Sequence, residues 1–335
     1  MFTPASLAAQ TAYAQLLEAL QARDMARSIG DAPGSFNVKT VAGKRYRYYQ
    51  HRTLAGKMVQ SYLGADSAAL RALIDLRGQA KPSPVISTLA MSASRLGAMP
   101  VTPAHLRVIA RLADEGFFRA GGLLVGTHAF LAAGNMLGVR WKASERTQDL
   151  DFAHAGNRMS VALPADAKLD LGDVIDGLRM GFVPAASLDG VRGGRWINPA
   201  DPGFVLDFLT PVARANKALV HVKIFNAEFQ ALRFLEFSLE DVQQAAVFGA
   251  GSACLVNVPD PARLAVHKLI VSGLRPASER TKALKDVAQA SALYAVLQAG
   301  QPERLEQVEQ DAMARGPTWR KHLLAGKRLM AIVAS

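Results

Sequence analysis

The class of fold follows from two segments, AGGLLVGTHAF at residues 120–130 and RTQDLDFA at residues 146–153. The first begins with a short apolar run, 120–126, that predicts a buried strand, and the residues after it have the periodicity of a helix. The second predicts another strand over 147–153. Further strands are predicted in RWINP and in FVLDFLTP, so the alternation of strands and helices predicts an α/β domain over 118–258.

Three aspartates interrupt these apolar strands. Asp149 and Asp151 stand two residues apart, so both carboxylates project from one face of their strand. Asp207 lies within FVLDFL, where a carboxylate is costly to bury unless it is paired or binds a metal. Mg²⁺ is commonly held by one or two carboxylates together with substrate phosphates, so the three predict a metal site. The alternatives are a solvated strand end for the first two and a structural ion pair for Asp207.

Gly126 and Thr127 join the first strand to the helix that follows it. A glycine lets backbone amides approach a phosphate, a hydroxyl adds a donor, and a helix N-terminus favours negative charge. We therefore predict a phosphate cradle at this turn, beside the aspartates. A turn with a threonine cap and no ligand is the alternative.

The order of these features resembles the polymerase-β-type nucleotidyltransferase superfamily. Gly-Thr at a strand end is followed by a helix, by RTQDLDF at 146–152 and by a third aspartate in FVLDFL. The likeness is greatest to the stand-alone bacterial members, which include toxin-like enzymes of the AbiE kind. It implies a mixed sheet with flanking helices, a catalytic metal triad of the three aspartates holding two Mg²⁺ ions, and contact of Gly126 and Thr127 with the phosphates of a nucleoside triphosphate.

The resemblance extends into the helical segment at 263–290. In the family, a lysine and a later Lys-Asp pair recur in the helices that follow the domain, which makes Lys268, Lys285 and Asp286 candidates for the nucleotide side of the cleft. A solvated helix face is the alternative for both lysines.

Two features depart from the family's pattern. Thr127 stands where serine is commoner, and 21 residues separate it from Asp149. This gap leaves room for an extended loop around Arg140–Arg146, which would either help to bind the nucleotide or distort the cradle.

A basic segment precedes the domain. From Ala32 to Ala65 the chain has six Lys or Arg residues, four of its six tyrosines and no acid. Alternating aromatic and β-branched residues, broken by glycines, predict two or three antiparallel strands forming a basic β-ribbon over 31–66. Positive charge follows phosphates and tyrosine rings stack on bases, so we predict RNA binding there. The alternative is that the tyrosines form the core of a small sheet.

The rest of the chain is predicted to be helical. The divisions are an N-terminal helix over 1–30, a helical linker region over 67–117 and a helical C-terminal region over 259–335, where each periodic segment is bounded by glycine or proline. No internal repeat divides the chain further.

Composition limits the classes of function. The 335 residues are 50% hydrophobic and carry a net charge of +11, which indicates globular domains and a polyanionic partner. Cys254, the single cysteine, excludes an intrachain disulfide and predicts a reducing, cytoplasmic setting. No apolar stretch is long enough to cross a membrane. Besides the ribbon, a second basic group is predicted on the C-terminal helices: Arg263, Lys268, Arg275, Arg280, Lys282 and Lys285.

We therefore expect a Mg²⁺-dependent nucleotidyltransferase that moves a nucleoside monophosphate from an NTP, ATP among the candidates, to an acceptor hydroxyl. RNA is the favoured acceptor, with a tRNA end as one candidate. Two alternatives stay open: a toxin-like enzyme that nucleotidylates a partner protein within a toxin and antitoxin pair, and a catalytically silent nucleic-acid-binding module.

Overall fold

The structure is a computed structural model of the chain, which describes residues 2–26, 35–52, 58–68, 70–71, 84–142, 148–156, 169–186, 192–212 and 218–334. The elements of the N-terminal part are β1 (Phe2–Pro4), α1 (Leu7–Ala26), β2 (Ser35–Val41), β3 (Lys44–Arg52), β4 (Met58–Ala65), α2 (Pro84–Leu96) and α3 (Pro103–Asp114). Residues 69 and 72–83 of the predicted helical linker region lie outside the described residues.

The central part alternates strands and helices before ending in a hairpin. Its elements are β5 (Leu123–Leu124), α4 (Gly126–Met136), β6 (Val139–Trp141), β7 (Asp149–Ala153), α5 (Leu171–Asp176), β8 (Val183–Ala186), β9 (Arg192–Asn198), β10 (Asp201–Pro211), β11 (Leu219–Val222), β12 (Ala227–Leu232), α6 (Leu235–Ser238), β13 (Val242–Gly249) and β14 (Ser252–Pro259). The C-terminal part is helical: α7 (Pro261–Leu274), α8 (Arg280–Gly300), α9 (Pro302–Ala314) and α10 (Pro317–Ala334).

A seven-stranded mixed sheet forms the centre of the molecule. Its main path runs β11-β12-β10-β7-β5, with β9 joined to β10 and β8 joined to β9. Strand β10 is parallel to β7 and β12, and the other pairings are antiparallel. A mixed sheet with flanking helices is the fold class that the sequence predicts, and it is confirmed.

The alternation within β7 and β10 fixes how these two strands pair. Leu150 and Phe152 are fully buried and lie directly opposite Leu206 and Phe208, whose ring stacks on Phe152 with centroids 5.2 Å apart. Burying side chains of this size contributes about 1.5–3 kcal/mol each. A slip of one residue would turn the aspartates into this core. Burial of the apolar face therefore fixes the pairing register of β7 and β10, and with it the positions of the three aspartates.

The C-terminal helices pack around α7, which is buried along most of its length. Gly326 in α10 allows the closest approach, because a Cβ there would overlap the backbone of Leu269. The all-helical character predicted after residue 259 is confirmed. No helix in the described part of the chain is long and apolar enough to span a membrane.

The N-terminal helices form a second layer on the β13–β14 hairpin. Leu16 and Leu20 of α1 belong to one hydrophobic cluster with Ala90 of α2 and Phe248 of the hairpin. The hydroxyl of Tyr13 accepts a hydrogen bond from the amide of Ala246 at 3.2 Å. Cys254 is buried in the same hairpin.

Part of the predicted loop before Asp149 is a strand. Residues Val139–Trp141 form β6, which pairs with β1 at the N-terminus. An isolated three-residue strand has too little local signal to be read from sequence, since its partner lies more than 130 residues away. Residues 143–147 of the predicted loop lie outside the described residues.

The basic ribbon folds as a three-stranded antiparallel sheet, β2-β3-β4, and the prediction of antiparallel strands is confirmed. Ala42 and Gly43 both have positive φ and form the tight turn between β2 and β3. The positive charge of this sheet is partly compensated. Asp66, just past the acid-free stretch, pairs with Arg45 and Arg47 at 3.5 and 2.7 Å.

Candidate active site

The three predicted aspartates lie on one face of the central sheet. Asp149 and Asp151 alternate with buried residues on β7, and Asp207 of β10 is in register with Asp151 on the neighbouring parallel strand. Asp149 is exposed, Asp151 is half-buried and Asp207 is buried. Three carboxylates on one face repel one another, so this face favours a bound cation.

Gly126 brings the first turn of α4 against Asp151. Its φ is +63°, and a Cβ at this position would overlap the carboxylate oxygen Oδ2 of Asp151. The amide of Val125 donates to the backbone carbonyl of Asp151 at 2.9 Å, which completes the junction. Only glycine combines this conformation with this approach, and the helix N-terminus therefore lies directly beside the acidic face.

Thr127 is buried and connects α4 to the C-terminal helices. Its hydroxyl Oγ1 accepts a hydrogen bond from Nε2 of Gln289 at 3.3 Å. The structure therefore brings Gly126 and Thr127 next to the aspartates, with one acceptor position of the Thr127 hydroxyl bonded to α8.

The charge of Asp151 is destabilised by its surroundings. Burial, with the charges of Asp207 and Asp149 adding to it, raises the pKa of Asp151 to about 7, and the charge of Lys268 opposes this rise. A cation that approaches a carboxylate in such a position stabilises its ionised form.

Asp207 is held by an arginine that the sequence does not single out. Arg195 of β9 donates from Nε and Nη2 to the two carboxylate oxygens of Asp207, both at 2.8 Å. Gln230 of β12 donates to Oδ1 of Asp207 at 2.9 Å. Bonding to Asp207, opposed by burial and aided by Asp149 and Asp151, raises the pKa of Arg195. This guanidinium is half-exposed and lies at the edge of the acidic face.

A second ion-pair cluster lies on the helical side. Lys268 of α7 is 5% exposed, and its Nζ lies 3.1 Å from Oδ1 of Asp286. Arg275 donates to the other oxygen of Asp286 at 3.1 Å. Burial alone would raise the pKa of Asp286, but the charges of Lys268 and Arg275 outweigh it and hold that pKa below its usual value. Lys268 is thus a buried, paired lysine and its solvated-face alternative is wrong.

Lys285 takes a different position. It is half-exposed on α8, and its charge acts on His128 of α4. The structure thus places Lys268 and Asp286 near Asp151, and Lys285 near His128.

A buried histidine pair was missed by the sequence interpretation. Nε2 of His128 lies 3.0 Å from Nδ1 of His105 in α3. Burial, with the charges of His105 and Lys285, lowers the pKa of His128 to about 3. Burial also lowers the pKa of His105, against the charges of Asp149 and Asp201. Both rings are therefore neutral near pH 7, and their spacing of 23 residues gives no sequence signal.

The donor set fits a hard divalent cation in part. Asp149 and Asp151 offer oxygen ligands on one face, the kind that Mg²⁺ takes. Among the residues that the structure describes, no three His, Cys, Asp or Glu side chains converge to hold a metal ion together. Both oxygens of Asp207 are bonded to Arg195 instead.

This arrangement of a helix N-terminus beside three carboxylates, with a helical region next to it, can be compared with known proteins. A sequence model of the family described as Nucleotidyltransferase matches residues 104–314, more than half of the chain. The chain belongs to this nucleotidyltransferase family. The matched range begins in α3 and ends with α9, so it contains every candidate site residue named above.

A crystal structure of an antigenic nucleotidyltransferase-like protein from Paracoccidioides brasiliensis is 11% identical to this nucleotidyltransferase, with a TM-score of 0.32 over 68% of this chain and 95% of that chain. None of the curated proteins matches. The general prediction of a nucleotidyltransferase is confirmed by the family match, whereas likeness to AbiE-type toxins stays a prediction.

Proposed function

We propose that this nucleotidyltransferase moves a nucleoside monophosphate from an NTP to an acceptor hydroxyl and that the acidic face is its active site. The observation that carries the proposal is the register of β7 and β10, which sets Asp149, Asp151 and Asp207 on one face against the N-terminus of α4. The acceptor oxygen forms a bond to the α-phosphorus, the bond between the α-phosphorus and the bridging oxygen breaks, and pyrophosphate leaves.

The proposal includes Mg²⁺ as cofactor, with two ions as the resemblance implies. Asp149 and Asp151 would hold it with the phosphates of the NTP, and Asp207 would join after its carboxylate leaves Arg195. When bound, the metal neutralises phosphate charge and lowers the pKa of the acceptor hydroxyl. The electrostatic cost of ionising Asp151 supports this assignment, because a cation there relieves it.

Residues of the chain itself would bind the triphosphate. The amides at Gly126 and Thr127 start α4, where the helix dipole favours negative charge. Lys268 would act from the helical side through its field, since its amine is already paired with Asp286. Lys285, half-exposed on α8, is a candidate for direct phosphate contact. Asp207 would take the proton of the acceptor hydroxyl or help a metal to lower its pKa.

RNA is the acceptor that the charge pattern favours. On one face of the β2-β4 sheet, Nζ of Lys39 lies 5.1 Å from the centre of the Tyr48 ring, and the rings of Tyr46 and Tyr48 approach Tyr62, which is 60% exposed. Exposed aromatic rings beside cations are a surface on which bases stack. The acceptor would therefore be held by this sheet, and the cytoplasm would be its setting.

Labelled NTPs test the proposal. The full chain is incubated with each α-³²P NTP, Mg²⁺ and total RNA or cell lysate, and label is sought on RNA and on protein. Label on RNA is the expected result. Label on a protein would favour the toxin-like alternative and an antitoxin partner, and no label with any NTP would favour the silent binding module. Asp149→Ala and Asp207→Ala should each abolish labelling while circular dichroism stays unchanged, and activity that survives both would exclude the triad.

A further inference from the structure

Asp151, Asp207 and Arg195 form one row across three strands. Asp151 of β7 lies opposite Asp207 of β10, and Asp207 lies opposite Arg195 of β9, so the three side chains share the acidic face. Neighbouring strands are about 4.8 Å apart, which places the arginine and Asp151 on either side of Asp207. Gly126, where the donor phosphates are proposed to bind, lies against Asp151. The row therefore extends from the phosphate cradle to the arginine.

The hydrogen bonds of Asp207 oppose a metal ion on this carboxylate. Oδ1 accepts from Nε of Arg195 at 2.8 Å and from Gln230 at 2.9 Å, and Oδ2 accepts from Nη2 of Arg195 at 2.8 Å. Each carboxylate oxygen offers about two lone-pair sites, so Oδ1 is fully used. A divalent cation on the remaining site of Oδ2 would lie beside the guanidinium, and the two positive charges would repel each other. The guanidinium and a metal ion therefore compete for Asp207.

The position of Arg195 allows its guanidinium to exchange partners. Its side chain is 45% exposed, whereas that of Asp207 is 12% exposed, so the arginine can move while the carboxylate stays in place. Nε2 of Gln230 donates both to Asp207 and to the carbonyl of Gly194 at 2.9 Å, and this amide keeps the carboxylate oriented when the arginine leaves. A guanidinium offers a planar pair of donors that fits a phosphate as well as a carboxylate. A triphosphate at the cradle is thus an alternative partner for Arg195.

We propose that Arg195 is a nucleotide-dependent gate on the third aspartate: its guanidinium holds Asp207 until a triphosphate binds, then transfers to the phosphates and leaves Asp207 open to a divalent cation. The inference rests on the proposed function for the donor, which is an NTP. It makes Arg195 a nucleotide-binding residue and a regulator of the same site. The acidic face is then completed as a metal site only when the donor is present.

Binding of Mn²⁺ alone to the full chain tests the competition for Asp207, with free Mn²⁺ measured by electron paramagnetic resonance. Arg195→Gln removes the competing charge, so Mn²⁺ should bind about tenfold more tightly than to the wild type. Asp207→Asn added to Arg195→Gln should cancel most of this gain, because it removes the ligand. Arg328→Gln removes one charge from an exposed position on α10 and is the matched control, which should leave the affinity unchanged.

Binding of the α,β-methylene analogues of the four NTPs tests the second partner of Arg195, since these analogues cannot release pyrophosphate. In Mg²⁺, calorimetry should show that Arg195→Gln weakens the analogue that the wild type binds by about tenfold. Arg195→Lys keeps the charge without the planar fork, so it should bind Mn²⁺ like the wild type and the analogue with intermediate affinity. Tighter Mn²⁺ binding together with weaker nucleotide binding is a combination that a merely structural arginine would not produce.

Three results would overturn the inference: Mn²⁺ binding by Arg195→Gln that is no tighter than by the wild type, a gain that persists after Asp207→Asn, or analogue binding that is absent from the wild type or not weakened by Arg195→Gln. If circular dichroism shows that Arg195→Gln is unfolded, Arg195→Lys decides, and wild-type analogue affinity in that variant would overturn the inference. Failure of the proposed function is a separate result. It would appear as absence of transferred label with the wild-type chain, whatever the Mn²⁺ measurements show.

Discussion

Asp151 carries its negative charge at a cost, because its pKa rises from 3.8 to about 7 on folding. The folded state therefore holds the proton more tightly than the unfolded chain, and the resulting stability is complete below pH 3.8 and is lost as the pH rises through about 7. In EDTA at pH 8, Asp151→Asn should raise the free energy of unfolding by about 1–3 kcal/mol, measured by urea denaturation. Near pH 4 the two proteins should be equally stable. The exposed Asp176→Asn should change neither value, and a pH-independent effect of Asp151→Asn would contradict the assignment.

The same carboxylate predicts how metal binding depends on pH. A cation competes with the proton on Asp151, so Mg²⁺ should raise the melting temperature more at pH 8 than at pH 5.5. Asp151→Asn should remove this difference, because the competing proton is absent. Thermal denaturation with and without Mg²⁺ makes the measurement without any turnover. An equal rise at both pH values would show that the metal binds elsewhere.

Gly126 is the residue whose backbone sets the distance between α4 and the aspartates. Gly126→Ala places a Cβ on the Asp151 carboxylate and strains a φ of +63°. The change should cost about 1–3 kcal/mol of stability and reduce nucleotidyl transfer at least tenfold, since the helix N-terminus must move. Gly300→Ala is the matched control, because nothing lies within 4 Å of a Cβ there. Wild-type activity in Gly126→Ala would rule out the phosphate cradle at this turn.

At the scale of the element, the alternation along β7 is local and can be predicted from sequence. Asp149 and Asp151 had to share a face once the segment was recognised as a strand. The register with β10 and the approach of Arg195 depend on pairing between distant segments, which local pattern does not encode. The contact between the two histidines of α3 and α4 also depends on the packing of distant segments, so the local sequence pattern does not predict it. Lys268 was placed near the nucleotide side by resemblance alone, and its burial against Asp286 follows from helix packing.

The pairing of β9 with β10 makes a measurable contribution through Arg195. Arg195→Met removes both hydrogen bonds to Asp207 and leaves Gln230 as a partner of that buried carboxylate. The free energy of unfolding should fall by about 1–3 kcal/mol. This is less than for a fully buried ion pair, because the guanidinium is half-exposed. Asp207→Asn in the same chain should recover part of the loss. A double-mutant cycle by urea denaturation measures the coupling energy between Arg195 and Asp207. A value near zero would show that the ion pair does not stabilise the fold.

The basic residues of the β2-β4 sheet are expected to have different roles, some in RNA binding and others in the stability of the sheet. Lys44 is exposed, whereas Arg47 is largely buried against Asp66. Lys44→Gln should weaken binding of a single-stranded RNA oligonucleotide and reduce the salt slope by about 0.7, and Tyr62→Ala should weaken binding without changing the slope. Arg47→Gln should mainly destabilise the sheet. Fluorescence anisotropy at several salt concentrations measures both quantities, and an unchanged affinity in Lys44→Gln and Tyr62→Ala would move the RNA surface elsewhere.

For the molecule as a whole, the positive charges behind the net charge of +11 are not all accessible to a polyanion, because some are paired with acidic residues. Half of the second basic group on the C-terminal helices is neutralised: Arg263 pairs with Asp241 and Asp311, and Lys268 and Arg275 share Asp286. Arg280 and Lys282 are exposed, and Lys285 is half-exposed. The basic surface predicted on these helices is therefore reduced to Arg280, Lys282 and Lys285. The β2-β4 sheet with its exposed Lys44 is the surface that we propose for a polyanionic acceptor.

The organisation of the core predicts which part of the chain can be removed. The three hydrophobic clusters of the described residues include α1 and α2 but no residue of 35–65. Replacing residues 28–80 with a flexible glycine-serine linker should therefore preserve the melting temperature and NTP binding while abolishing RNA binding. Deleting α1 as well exposes Phe248 and its neighbours on the β13–β14 hairpin, and that protein should aggregate. Calorimetry, NTP binding and RNA anisotropy on the two proteins separate these outcomes. Loss of NTP binding in the linker variant would mean that the sheet takes part in the active site rather than only in holding the acceptor.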